Sequence, residues 1–496
     1  MKRSMQRCCA RLALAALLTG CTVGPNYHRP SAPVSASFKE AAGWTPSHPT
    51  DAIDKGAWWS MFNDPVLDGL EKRIAISNQT VKQYEAAYRE AHEIVAEARA
   101  AYLPTVGLTA GAERAKGAAG ASVLGGATTG VSTGATTTTT ATTATVGSTG
   151  PYNSYSAGLE ATWAPDLWGK IRRTVESDKA LAQAGAANIA NAKLSAQASL
   201  AEDYFDLRVL DEEQRLYTDT VTAYQKFLKL TQDQFREGTQ QQSAVLTAQT
   251  QLYGAQSSLI AVGVMRAQME HAIAILVGVA PADLTIPPSA LNRDVPTPPL
   301  TIASTLLERR PDIAAAERQM ASGNALVGVA TAAYYPDLTL SGDYGSAASS
   351  LGRLFNASNS VWSFGASASE TLLDFGLRRA QVAAARAVYD QDVAVYRQTV
   401  LTAFQGVEDE LAALRIYQQQ QDTLIRTEQA ARQALKLDLD EYREGTIDYT
   451  TVITAQASLL TASLNVLTVL QSRLQASVLL VETLGGGWTS ADLPKS

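Results

Sequence analysis

The chain has 496 residues, 46% hydrophobic and 18% charged, with 41 Lys and Arg against 48 Asp and Glu for a formal net charge of −7. That acidic balance argues against nucleic-acid binding, which relies on clustered positive charge. His28, His48, His92 and His271 are scattered without metal-ligand spacing, so no zinc or iron site is expected.

At the N-terminus, Lys2, Arg3, Arg7 and Arg11 precede an apolar run from Leu12 to Leu18 that ends in Leu18-Thr19-Gly20-Cys21. A basic region, a short apolar region and small residues before a cut site make a secretory signal, expected over residues 1–20. The run is too short to span about 30 Å of hydrocarbon as a helix. LTGC in this position matches the lipobox of bacterial lipoproteins, which makes Cys21 the expected lipidation site; an ordinary signal with an incidental cysteine is the alternative. Thr22 follows where an aspartate would resemble an inner-membrane retention signal, so export to the outer membrane is favoured. Cys8 and Cys9 would leave with the signal. The mature chain then keeps 37 basic against 48 acidic residues, a balance of −11, and no second cysteine for a disulfide. Residues 21–65 form a lipidated N-terminal extended segment in this reading.

The rest of the chain is duplicated. Asn78-Gln79-Thr80-Val81 falls opposite Arg310-Pro311-Asp312-Ile313, and AYLP at Ala101 to Pro104 opposite AYYP at Ala333 to Pro336, both at an offset of 232. Gly158 matches Gly365, Gly169 matches Gly376, and REGT at Arg236 to Thr239 recurs at Arg443 to Thr446, all at an offset of 207. The difference places 25 extra residues of the first half between Pro104 and Gly158. There, 30 of the 34 residues from Gly117 to Gly150 are Ala, Gly, Ser or Thr, which cannot build a packed core. The repeats are expected at 66–285 and 301–488, joined by a Pro-rich linker at 286–300 and followed by a tail at 489–496.

Each repeat carries helical spacing over long segments. Leu207, Leu210, Gln214, Tyr217, Val221, Tyr224, Leu228, Thr231 and Phe235 alternate steps of three and four, the seam of a coiled coil. Leu414, Tyr417, Gln421, Leu424, Glu428, Ala431, Leu435, Asp438 and Tyr442 repeat it. The predicted long helices cover 170–236 and 377–443, roughly 100 Å each at 1.5 Å per residue. Shorter helices are expected at 66–100, 240–278 and 449–484, with one more opening the second repeat.

Between the helices the period changes to two. Val106, Leu108, Ala110 and Ala112 alternate with small or polar residues, as do Tyr155, Ala157, Leu159, Ala161 and Trp163. Strand pairs are therefore expected within 103–165 and 335–375, the latter carried by Leu338 and Leu340 and by Trp362, Phe364, Ala366 and Ala368. One apolar and one small polar face fit a transmembrane β-barrel, although a soluble sandwich would alternate similarly. Four strands cannot close, because closed barrels need about eight or more and lipid tolerates no open edge. The expected fold is a mixed α/β membrane protein, with coiled-coil helices and four strands per chain that close as a barrel of about 12 strands in a homotrimer.

GCTVGPNYHRP at Gly20 to Pro30, WWSMFNDPVLDGL at Trp58 to Leu70, LLERRPDIAAAE at Leu306 to Glu317 and LGGGW at Leu484 to Trp488 together resemble the outer-membrane factor family, the TolC-like lipoprotein ducts of tripartite RND efflux systems. The resemblance covers nearly all the mature chain. It implies a trimer with a barrel in outer-membrane lipid, a long periplasmic α-barrel, and delivery of cargo by an inner-membrane RND pump through a periplasmic adaptor. It also implies that the two REGT tips meet the adaptor, which makes Gly238, Thr239, Gly445 and Thr446 the docking candidates. At the periplasmic entrance Tyr442 matches a tyrosine that holds the closed state in relatives. Thr451 and Thr454 stand where relatives carry a ring of aspartates, Asp448 is the acid beside them, and Ala244 stands where an acidic partner for the tyrosine is expected. No cofactor is expected: Gly169-Lys170 lacks the upstream glycine and following Ser or Thr of a phosphate-binding loop. A TolC-like duct for type I protein secretion would use the same scaffold, and a purely structural coiled-coil lipoprotein would have no use for the strands.

Overall fold

The computed structural model describes residues 22–35, 37–41, 57–116, 151–296 and 306–494. The signal, Cys21 and the low-complexity stretch from Gly117 to Gly150 lie outside them. The described residues divide into two compact units. One takes in residues up to 25, 96–175 and 327–383; the other takes in 26–95, 176–326 and 384–496.

The first unit carries strands β1 (Thr105–Lys116), β2 (Pro151–Trp163), β3 (Asp337–Ala348) and β4 (Ser360–Ser369) in one antiparallel sheet of order β1-β2-β3-β4. Pairing brings the alternating apolar residues onto one face: Leu108 lies opposite Leu159, Leu159 opposite Tyr344, and Tyr344 opposite Trp362. Leu108, Tyr344, Trp362 and Phe364 stay exposed, so this apolar face has no core behind it. The duplication is visible in the register. Thr105 pairs with Thr162 and Asp337 with Ser369, so moving the first pair by the offsets of 232 and 207 gives the second.

The second unit is helical. It contains α1 (Pro65–Ser77) and most of α2 (Gln79–Ala100), α3 (Lys170–Arg236), α4 (Gln242–Leu276), α5 (Pro311–Ala332), α6 (Leu377–Glu444) and α7 (Tyr449–Thr483). In α3 the predicted seam buries Leu207, Val221, Tyr224 and Thr231, while Phe235 at its end is left exposed. Val221 and Tyr224 pack on Leu252 and Ala255 of α4. Helices α4 and α7 are long and apolar enough to cross a membrane by length and composition; α7 buries Leu467, Leu470, Leu474, Val478 and Val481 in the core, whereas α4 leaves Leu246, Tyr253, Ile260, Val264 and Ile275 exposed.

The family-like motifs are core. Trp58, Trp59 and Phe62 form a buried 3-10 turn, with the Phe62 ring 4.8 Å from that of Phe205. Asp64 caps α1 by accepting from Val66 N and Leu67 N, Pro65 fits the first turn, and the Tyr204 hydroxyl donates to Asp64 at 2.6 Å. Arg310 pairs with Asp312 at 2.6 Å and donates to the Thr483 carbonyl at the end of α7. Gly485 then takes φ +95°, where a Cβ would sit 2.1 Å from the Arg309 carbonyl oxygen. The LERRP and LGGGW segments thus meet.

The helix expected without a break from 66 to 100 is two helices. Asn78 is extended, its Oδ1 accepts from Val81 N at 3.0 Å, and its Nδ2 donates to the Leu276 carbonyl at 2.7 Å. A capping side chain with a distant partner stops α1 and starts α2.

The start of the Pro-rich linker is tied down by buried charge. Asp211 accepts from Arg208 at 2.9 Å, Arg266 at 2.7 Å and Ser289 N at 3.2 Å. Arg208 also donates to the Pro287 carbonyl and Arg266 to that of Ile286, while Glu270 accepts from Ile286 N.

Candidate functional site

The two REGT sequences end α3 and α6 in the same way. Gly238 N donates to Phe235 O at 3.0 Å and Thr239 N to Gln234 O at 2.9 Å; Gly445 N donates to Tyr442 O and Thr446 N to Glu441 O, both at 3.0 Å. This double bond pattern closes a helix on a left-handed glycine, and the two glycines have φ +74° and +80°. Each threonine hydroxyl adds a bond to the same carbonyl, Thr239 to Gln234 O at 3.0 Å and Thr446 to Glu441 O at 2.9 Å. Glycine is needed for the backbone angle and threonine finishes the cap. Gly238, Thr239, Gly445 and Thr446 are all exposed.

Between these caps the two hairpins share a cluster of Ala248, Tyr449, Val452 and Ile453, with Phe227, Leu435, Leu439 and Tyr442 packed on it. Tyr449 lies 5.4 Å from the Phe227 ring and 5.9 Å from that of Tyr442. The Tyr442 hydroxyl donates to Gln234 Oε1 at 3.0 Å. Its hydrogen-bond partner is therefore Gln234, not the residue at 244, which is an alanine. Asp448 is the N-cap residue of α7, exposed and making no capping bond. Thr454 donates to the Thr450 carbonyl of its own helix at 2.9 Å, and Thr451 is exposed. Of the four expected entrance residues, only Tyr442 joins the two repeats. Sequence reasoning missed Gln234, Phe227 and Tyr449; the last stands next to Asp448 and was legible as an aromatic opening a helix.

A second group of acids lies farther along the helical unit. Burial, then the charges of Glu482, Asp206, Asp203 and Glu410, pushes Glu202 up to about 7. Burial and Asp206 push Asp203 up to about 6, and burial and Asp409 push Glu410 up to about 7. The folded chain holds these protons more tightly than the unfolded chain does. Their stabilising contribution is full below the ordinary carboxylate range and is lost as pH rises through about 6 to 7. The melting temperature should fall between pH 5.5 and pH 8, and Glu202→Gln should shrink that fall. A melting temperature that climbs over the same interval would contradict these assignments.

A pocket of about 260 Å³ in the sheet-bearing unit is lined mainly by Ala98, Ala101, Leu167, Ile171, Pro336 and Leu338. Two acids, Asp166 and Asp337, also line it, and Asp166 is already held by Arg172 at 3.0 Å. Among the described residues no cluster of three His, Cys, Asp or Glu side chains is placed to hold a metal ion. Cys21 lies outside the described residues, but its neighbour is placed. Thr22 lies against Gly169, where a Cβ would come within 2.8 Å of it, and Val23 N donates to Trp168 O at 3.1 Å. The turn that carries Trp168 and Gly169 joins β2 to α3.

Comparison with known proteins gives one consistent answer. Residues 71–279 and 302–486 match the family described as outer membrane efflux protein. The chain is 27% identical over 480 residues to the toluene efflux pump outer membrane protein TtgC of Pseudomonas putida, covering 96% of this chain and 94% of that one. It is 30% identical over 455 residues to the pyoverdine export outer membrane protein OpmQ of Pseudomonas aeruginosa, covering 89% of each. The solved structure of the outer-membrane channel OprN superimposes with a TM-score of 0.82 at 28% identity, over 94% of this chain and 100% of that one.

Proposed function

Because the chain belongs to the outer membrane efflux protein family and is the outer-membrane channel of an RND-type efflux system, we propose that it works as a homotrimeric duct without chemistry of its own. It takes drugs or other toxic small molecules from the periplasm to the exterior. An inner-membrane RND pump supplies the cargo, and a periplasmic adaptor docks on the tips at Gly238, Thr239, Gly445 and Thr446. The observation that carries the reading is a four-stranded sheet open at both edges in a chain of this family, since such a sheet is stable in lipid only when copies close it. Relatives named for toluene and pyoverdine support a small-molecule cargo. Deleting the gene should raise retention of a fluorescent efflux dye, and re-expression should restore export; unchanged retention in a strain lacking other outer-membrane ducts would refute the role.

Cys21 is proposed to carry the lipid that anchors the N-terminus at the outer membrane. The seat of Thr22, the residue that follows Cys21 in the sequence, against Gly169 at the strand-to-helix turn supports this. Radiolabelled palmitate should enter the wild type and not Cys21→Ser; equal labelling would remove the anchor from the account. At the entrance, Tyr442 and Gln234 are proposed to hold the closed state, with Thr451 and Thr454 in place of a carboxylate ring and Asp448 as a weak cation site.

A further inference from the structure

The cluster that joins the two hairpins near the REGT caps contains two tyrosines whose hydroxyls are treated in opposite ways. The Tyr442 hydroxyl donates to Gln234 Oε1 at 3.0 Å, a bond from α6 to α3. The Tyr449 hydroxyl is buried and has no hydrogen-bond partner, although the residue is only 5% exposed. Its ring lies 5.4 Å from that of Phe227 and 5.9 Å from that of Tyr442, and Ala248, Val452 and Ile453 complete the surroundings. All of these are apolar contacts. Burying a hydroxyl without a hydrogen bond is unfavourable, because the bonds it made to water are lost and nothing replaces them.

The cover over Tyr449 comes from the other hairpin. Tyr449 is the first residue of α7, and Asp448 and Thr450 on either side of it are exposed. Phe227 and Ala248, which close over it, belong to α3 and α4. The hydroxyl is therefore dry while the hairpins stay together, and a single chain already covers it, so neither water nor a second copy reaches it in that arrangement. The arrangement occurs once per chain. At the offset of 207, Phe227, Tyr442 and Tyr449 correspond to Ala434, Phe235 and Gln242, all of them exposed.

We propose that Tyr449 is a gating residue that favours opening: its unpaired hydroxyl destabilises the contact between the hairpins and regains hydrogen bonds to water when the first hairpin moves off it. This rests on the reading that the contact holds the entrance closed, and it adds a counterweight to the Tyr442–Gln234 bond. Two hydroxyls in one cluster then act with opposite signs. The closed tip is held by packing and one bond and is opposed by one unmet hydroxyl, which leaves it close to the balance point at which a small push on the tips opens it.

Tyr449→Phe keeps the ring and removes only the hydroxyl, so it separates this role from packing. An unmet buried hydroxyl is worth roughly fivefold or more in the equilibrium for each copy. In planar bilayers, full-length Tyr442→Phe provides a raised open probability from which a fall can be read. Adding Tyr449→Phe should lower that value by about tenfold or more. An open probability in the double variant equal to or above that of Tyr442→Phe would overturn the proposal. Hydrogen–deuterium exchange of Tyr449→Phe alone gives a second reading. Peptides covering the end of α3 and the first turn of α7 should exchange about fivefold more slowly than in wild type, with peptides around Trp58 and Leu474 unchanged. Slowing spread evenly over the chain would mark a general gain in stability and overturn a role at the tip. If Tyr442→Phe leaves the open probability at the wild-type level, the closed-contact reading fails; slowed exchange confined to the tips would still establish the unmet hydroxyl, and unchanged or faster exchange there would overturn it.

Discussion

Asp211→Ala should lower the stability of the folded chain by about 3–5 kcal/mol, the cost of removing one partner from a buried ion pair. The carboxylate side chain is 3% exposed and lies between Arg208, 2% exposed, and Arg266, 14% exposed. Alanine would leave the Arg208 guanidinium with only the Tyr204 hydroxyl and the Pro287 carbonyl, neither of which carries a countercharge. It would also release Ser289 N, so the linker between the repeats would lose an anchor on α3. Asp211→Asn keeps an oxygen in place and should lose less. Thermal unfolding followed by helical circular dichroism checks both, and an Asp211→Ala chain within about 1 kcal/mol of wild type would show that the cluster is not holding the linker.

Tyr442→Phe should raise the open probability of the channel by one to two orders of magnitude. The lost hydroxyl makes one neutral hydrogen bond, to Gln234 Oε1 at 3.0 Å, worth about 1 kcal/mol. Three copies opening together would add to roughly 3 kcal/mol, and each 1.4 kcal/mol is a factor of ten in the equilibrium. Gln234→Ala removes the same bond from the other side and should have a similar effect, whereas Thr454→Ala, whose hydroxyl is bonded within α7, should have little. Planar-bilayer recording of the purified protein decides between them. Unchanged conductance in Tyr442→Phe together with a large rise in Thr454→Ala would reverse the proposed roles.

Much of this was legible in the sequence, and the reason is the duplication. Two copies of one helix-strand-strand-helix-helix pattern fix each other's boundaries, and the offsets of 232 and 207 carry through to the strand register. What escaped depends on partners distant in sequence. Asn78 breaks a helix because the Leu276 carbonyl waits for its amide, and nothing near Asn78 announces that. Gln234 and Tyr442 stand on different long helices, 208 residues apart, and neither is opposite the other in the repeat alignment, where Tyr442 falls on Phe235. Arg208 and Asp211 at a spacing of three look like a solvated helix face until Arg266 and the linker close over them.

Capture of partners from native membranes tests the central claim most directly. After brief chemical cross-linking in intact cells, affinity purification of the tagged chain should bring down an RND pump of the inner membrane and a periplasmic adaptor. Substitutions at the REGT tips, Gly238→Asp with Gly445→Asp, should abolish the adaptor cross-link while leaving the protein in the outer membrane. Recovery of an ABC transporter in place of the RND pump would move the chain to protein secretion, and recovery of neither partner would contradict the account.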